Sequence, residues 1–481
     1  MHLFHLFSRH KVFLSLFTGY IAIRGFSFLL FLTTSPTHHS QIKTIVSLGI
    51  IGLFFYLYKK SPLTALFLLL TELALGGAGH YLEFFNLSLR TCLTVLYITL
   101  FYLTERKRLY HIHFPKPLII FGSLFCLSLI LSAFIGWKNG HPILFIIQDA
   151  IPFISLLLFF PLITYWDSII QSTYTKKFIS VFILGNTLFS FFTLFLFSYH
   201  FVELQAPYYK WFRDISMGKI TDMGTGFFRI VLPEHLLLVP FSLLLTSFII
   251  TNKNVKAART LQVAALLTIT INFSRIYLLG LGVALLFLFS RHYVKRWIKE
   301  SGIVICVIAL LFTGTHLFAS HGKSFGFELF GARAKSLIRP ETEISSATRM
   351  SLLPDIFLSM QEAPVFGSGI GASVLYVIPT VKEIRETRQF DWGYFELIVE
   401  LGFLGFSFFV ASISYMLYLL FRIRHTHWIA TGMLSSMMAL LLINITAPIF
   451  THALGIIFLI FLISFVISYQ EQVSPTLHNK K

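Results

Sequence analysis

The feature that most limits what this chain can become is a succession of apolar runs, each close to the roughly 20 residues a helix needs to cross a bilayer. They cover residues 12–32, 44–58, 63–76, 91–103, 118–135, 143–163, 178–201, 228–250, 261–273, 276–290, 303–319, 395–421, 428–445 and 449–467. Hydrocarbon offers no partner to a backbone N–H or C=O, so a spanning run must satisfy its own hydrogen bonds, and a helix does so. The expected fold class is an all-α polytopic membrane protein with about 14 (12–14) transmembrane helices. With 12% charged residues and 55 Phe in 481 residues, little chain remains for a soluble domain. The expected division is an N-terminal transmembrane bundle over 1–319, a loop or cap over 320–393, and C-terminal transmembrane helices over 394–481.

Basic residues fall in short clusters between alternate runs: Arg9 and Lys11, Lys59 and Lys60, Arg106 to Arg108 with Lys116, and Lys176 and Lys177. The series continues with Lys253, Lys256 and Arg259, then Arg291 to Lys299, Arg422 and Arg424, and Lys480 and Lys481. Short basic loops stay on the cytoplasmic side. The alternation predicts an even helix count, both termini in the cytoplasm, and an inner-membrane location. It also accounts for the net charge of +17 without nucleic acid. The first run is about a bilayer long and has no clear cleavage site, so it reads as a first helix. Cys92, Cys126 and Cys306 sit inside apolar runs without metal or disulfide spacing and read as small core residues.

Two stretches fall on the opposite, outer side: 202–226 and the longer 320–393. The long one is no simple linker. It carries a candidate helix over 345–360 interrupted by Pro354, and the turn-rich FGSGIG at 366–371. That segment follows no expected strand and lacks a P-loop lysine, so it reads as a tight turn rather than a nucleotide loop.

A charge inside hydrocarbon is costly and marks a functional candidate. Arg24, Glu72, Asp149, Glu234 and Arg275 qualify. Arg275 lies in a hairpin between two runs, where its guanidinium is suited to clamp a diphosphate bidentately; a snorkelling helix-end Arg is the plainer alternative. Arg229 stands at an outer edge, either binding substrate or paired with Glu234. Among eight basic and eight acidic residues of the long loop, Arg349 is singled out because it opens an amphipathic stretch before the glycine-rich turn. Asp391, Glu396 and Glu400 lie where the chain returns to the membrane, with the two glutamates on one helix face. A carboxylate there can act as general base; Asp391 as a helix N-cap and Glu400 in an intrahelical contact are the alternatives. No HExxH or tight His/carboxylate cluster suggests a metal, and no cofactor is expected.

Three patterns in the C-terminal half resemble the O-antigen ligase and O-antigen polymerase superfamily. Arg275 to Leu279 resembles its Arg-x-x-x-Leu element. Arg349 through Gly371 is similar to its Arg, amphipathic helix, Pro and Gly-rich turn. Asp391 through Gly405 is similar to a polar pair followed by Gly-x-x-Gly, here Gly402 and Gly405. The resemblance implies a GT-C-like, metal-independent glycosyltransferase at the periplasmic face, with an undecaprenyl-diphosphate-linked glycan as donor and a second glycan as acceptor. It further implies a chain-length regulator as partner. Asp391, Arg275 and Arg349 would be catalytic; Arg229, Glu234, Glu396 and Glu400 would bind substrate. Where the ligases carry a His-Asn pair this chain has Asp391 and Trp392, which favours an O-antigen or exopolysaccharide polymerase over a ligase. A lipid-linked oligosaccharide flippase is the alternative of another class, kept open by Arg24, Glu72 and Asp149.

Overall fold

A computed structural model describes residues 2–33, 36–85, 87–112, 114–339, 344–377 and 383–478. Lys382, Lys480 and Lys481 lie outside the described residues. Every apolar run carries helix over most of its length, and the chain is a helical, multi-pass membrane protein. Among the described residues eight helices are long and apolar enough to span: Lys11–Thr33, Ser40–Lys60, Lys116–Lys138, Ile143–Thr164, Thr173–Ser198, Pro233–Thr251, Arg291–Ala319 and Gly393–Ile423. Shorter apolar helices are Pro62–Leu75, Leu89–Thr104, Arg275–Phe287, Trp428–Ile443 and Ala453–Tyr469.

The chain forms two compact units. One consists of Met1–Tyr110 with Thr164–Phe327, the other of His111–Ile163 with Glu328–Lys481. In the first, Thr173–Ser198 packs against His2–Thr33 and against Lys256–Asn272. Thr187 Oγ1 donates to Ala264 O at 2.9 Å and meets Thr268 Oγ1 at 2.9 Å. Helices surrounded by lipid gain no hydrophobic drive from touching each other, so buried hydroxyl contacts of this kind hold them together. The second unit is built on the helix pair Lys116–Lys138 and Gly393–Ile423. There the Ser132 hydroxyl donates to Glu400 O at 2.7 Å, again a buried contact between helices.

Four sequence expectations need correction. The run beginning at 228 does not open as helix: Phe228–Val231 is a strand, antiparallel to Lys219–Asp222 with Thr221 opposite Arg229. Its β-branched and aromatic residues suit a strand as well as a helix. Pro354 does not interrupt its helix, which runs unbroken over Ile344–Glu362. Leu352 and Ile356, 2% and 0% exposed, sit one turn apart in a core with Val374, Phe390 and Val399, and this burial holds the helix across the lost hydrogen bond. Cys126 and Cys306 are exposed rather than in the core. The lipid-facing side of a membrane helix is as apolar as its packed side, so hydropathy cannot separate the two. The helix Gly393–Ile423 takes Trp392, not Asp391, as its N-cap, with no side-chain cap bond.

Candidate active site

The residues singled out from the sequence fall into two groups, one in each unit. In the first unit Arg229 does not pair with Glu234. Its Nε donates instead to Asn272 O at 2.8 Å. Asn272 ends the helix Lys256–Asn272, Phe273 turns the chain with φ +45°, and Arg275 begins the helix Arg275–Phe287. Arg229 is thereby held against the hairpin that carries Arg275. Tyr277, a half turn beyond Arg275, lies within Coulomb range of Arg229.

His235 fixes this hairpin from the other side. Its Nδ1 accepts from the Leu232 amide at 3.4 Å and faces Asn272 Nδ2 at 3.1 Å. A backbone N–H can only donate, so the ring proton belongs on Nε2, which then donates to Ser190 Oγ at 3.1 Å.

Glu234 pairs with Arg24. Both are nearly fully buried, and the Arg24 guanidinium carbon lies 4.4 Å from the ring centres of Tyr20 and of Phe189, sandwiched between them. Aromatic faces stabilise a desolvated cation. Nε and Nη1 of Arg24 make no hydrogen bond among the described residues. Tyr81 and Tyr208 stand near the pair; burial pushes both hydroxyls above their ordinary range, so they remain neutral walls. Tyr81 stacks on Trp211 with ring centres 6.1 Å apart and donates to Ser216 Oγ at 3.1 Å.

In the second unit Arg349 and Asp391 meet. Arg349 Nε lies 3.6 Å from Asp391 Oδ2, an ion pair too long for a hydrogen bond, and the Asp391 side chain is about half exposed. Asp391 has φ +56°, the left-handed region that Asp enters more readily than most residues. Its neighbours are pinned. Phe390 is fully buried and its N–H donates to Glu396 Oε2 at 3.4 Å. Trp392 Nε1 donates to Arg349 O at 3.0 Å, and the Gly393 N–H to Asn444 O at 3.1 Å.

Glu396 and Glu400 are both buried. Glu400 Oε1 accepts from the Gly371 amide at 3.4 Å, and Glu396 of the same helix lies within Coulomb range of it. That bond belongs to a larger interlock. At Gly402 the helix Gly393–Ile423 breaks, with φ +67° and ψ 176°, which frees backbone groups on either side. The segment Pro364–Gly371 supplies their partners. Ser368 N donates to Val399 O at 2.7 Å and Gly369 N to Glu400 O at 3.2 Å; Phe403 N and Leu404 N donate to Pro364 O at 2.9 Å and Val365 O at 3.1 Å. From the helix Lys116–Lys138 and its following turn, Ser132 O accepts from Ile370 N at 3.1 Å, and Asn139 Nδ2 donates to Ser368 O at 2.9 Å. The FGSGIG turn therefore repairs a helix break, and Gly367, Gly369 and Gly371 have positive φ as such a turn requires.

Several members of these networks carry no signal in the sequence. His235, Asn272, Ser132, Asn139 and Asn444 are small polar residues inside or beside apolar runs, and only their partners reveal them. Arg388 was one loop cation among eight, yet it binds Asp149 and Gln148. Among the described residues no three His, Cys, Asp or Glu side chains converge as a metal site needs.

Residues 261–410 match the family model described as O-antigen ligase. The matched segment contains Arg275, Arg349, Asp391, Glu396, Glu400 and the glycine interlock; Arg229 and Glu234 precede it. No curated protein matches the sequence significantly.

Proposed function

Over residues 261–410 the chain belongs to the O-antigen ligase and polymerase superfamily, whose members transfer glycans, and from that premise we propose that it is a polymerase. In this reading it joins undecaprenyl-diphosphate-linked repeat units of O-antigen or exopolysaccharide at the periplasmic face of the inner membrane. An acceptor hydroxyl oxygen bonds to the anomeric carbon of the donor, the bond from that carbon to the phosphate oxygen breaks, and the lipid diphosphate leaves with the electron pair. Asp391 takes the hydroxyl proton. Arg349 stabilises the negative charge that grows on the departing diphosphate, the largest catalytic contribution expected in such a step, and Arg275 and Arg229 are the substrate-diphosphate arginines of the other unit. About fourteen helices in a GT-C-like arrangement, N-in and C-in, with 320–393 as the outer cap, complete the proposal.

The observation that carries this reading is the Arg349–Asp391 pair inside the matched segment. It sets a cation for phosphate beside an oxygen base for a hydroxyl, with the Asp391 side chain about half exposed. Trp392 in place of the ligases' Asn, beside Asp391 in place of His, supports polymerase over ligase. Two of the three embedded charges that would suit a transporter are matched within their own units, Arg24 by Glu234 and Asp149 by Arg388, while the third, Glu72, is buried with no hydrogen bond to its Oε1 among the described residues.

The test is to express Arg275→Ala and Arg349→Ala in cells that make the glycan and follow its chain length on gels. The reading predicts collapse of the ladder to single repeats, with Lys replacements rescuing only partly because the bidentate fork is lost. Unchanged ladders at normal protein levels would refute it.

A further inference from the structure

Asp391 holds a left-handed backbone that a side-chain residue keeps only when its surroundings impose it. Its immediate neighbours are fixed on both sides: before it the buried Phe390 with its bond to Glu396, and after it the Trp392 bond to Arg349 and the Gly393 bond to Asn444. Before Phe390 the strand Ile384–Thr387 ends and the chain makes a local turn, in which Thr387 Oγ1 accepts from Gln389 N at 3.2 Å.

Within that turn Arg388 tethers the chain to a neighbouring helix. Its Nη1 lies 3.3 Å from Asp149 Oδ1, its Nη2 donates to Gln148 Oε1 at 2.8 Å, and its guanidinium carbon stands 4.2 Å from the ring centre of Phe145. All three partners lie on the helix Ile143–Ile154. Both charged side chains are little more than a quarter exposed, at 27% and 28%, so water screens the pair weakly. The planar guanidinium uses one face for the ring and its edge for two acceptors, a combination Lys cannot reproduce.

We propose that Arg388 and Asp149 are a positioning pair, which fixes the approach of the chain to Asp391 and so sets where its carboxylate stands beside Arg349. The proposal rests on the reading of Asp391 as the proton acceptor. Arg388 also lies within Coulomb range of Glu400, as does Asp149. Removing either partner alone therefore changes the charge balance of a buried cluster, whereas exchanging the two preserves it.

The experiment uses the full chain in lipid nanodiscs, with Arg388→Gln, Asp149→Asn and the exchange variant R388D/D149R. Hydrogen exchange over 388–392 is read beside kcat and KM for a lipid-diphosphate-linked donor. In both single variants, exchange over 388–392 rises while that over 405–423 stays at the wild-type level. In those variants kcat falls about 10-fold to 100-fold, the scale expected of a displaced reacting group, with KM little changed, and the exchange variant recovers both readouts. Wild-type exchange over 388–392 in the single variants overturns the proposal, as does raised exchange with wild-type kcat. Full activity in Asp391→Asn would instead overturn the reading of Asp391 as base, and the exchange measurement would still judge the anchor.

Discussion

Gly367 and Gly402 pass so closely that a Cβ on Gly367 would stand 2.5 Å from the Gly402 nitrogen. The conformation at Gly402 is one that essentially only glycine adopts, and occupying it with another residue costs on the order of 1–3 kcal/mol before any collision is counted. Gly402→Ala must also displace the Val365 backbone. We expect it to lower the yield of folded protein and its unfolding temperature far more than Gly282→Ala, where nothing lies within 4 Å. Fluorescence-detected gel filtration with a heating series checks this.

Asp391 separates stability from activity. Glycine accepts φ +56° without strain, so Asp391→Gly should unfold at or above the wild-type temperature while losing about 10²-fold to 10⁴-fold in turnover, the range a general base contributes. Asp391→Asn, which also tolerates the left-handed region, should fold normally and be equally slow. Melting curves and single-turnover rates measured on the same preparations decide both points.

The Arg24–Glu234 pair is buried among aromatic rings, so deleting one partner strands the other. Arg24→Met or Glu234→Leu alone should destabilise by about 3–5 kcal/mol, whereas the double variant should lie near the wild type. Denaturant unfolding of the four proteins in one detergent gives the double-mutant cycle. Additive losses would mean the two charges do not interact.

The helices were legible because lipid imposes a length and a composition on any chain that crosses it. Arg275, Arg349 and Asp391 stand out in the sequence through the order and spacing of three short patterns, and all three lie inside the segment 261–410 that matches the family model. The partners were not. Arg24 and Glu234 are 210 positions apart, and the apolar runs between them say nothing of which helices touch. The strand that carries Arg229 is hidden in the sequence because Phe228–Val231 continues into an apolar run without a break in hydropathy. The glycines of FGSGIG announced a turn, but that the turn mends a break at Gly402 emerges only when both backbones are seen together.

The most direct test of the central claim is chain extension by the purified protein given a lipid-diphosphate-linked repeat unit alone, with products resolved by length. The account predicts a ladder of extended lipid-linked glycans with release of lipid diphosphate, lost in Arg349→Ala and Asp391→Asn. A wild-type protein that extends nothing but transfers the glycan to a separate lipid acceptor, or an Arg349→Ala protein that extends normally, would contradict it.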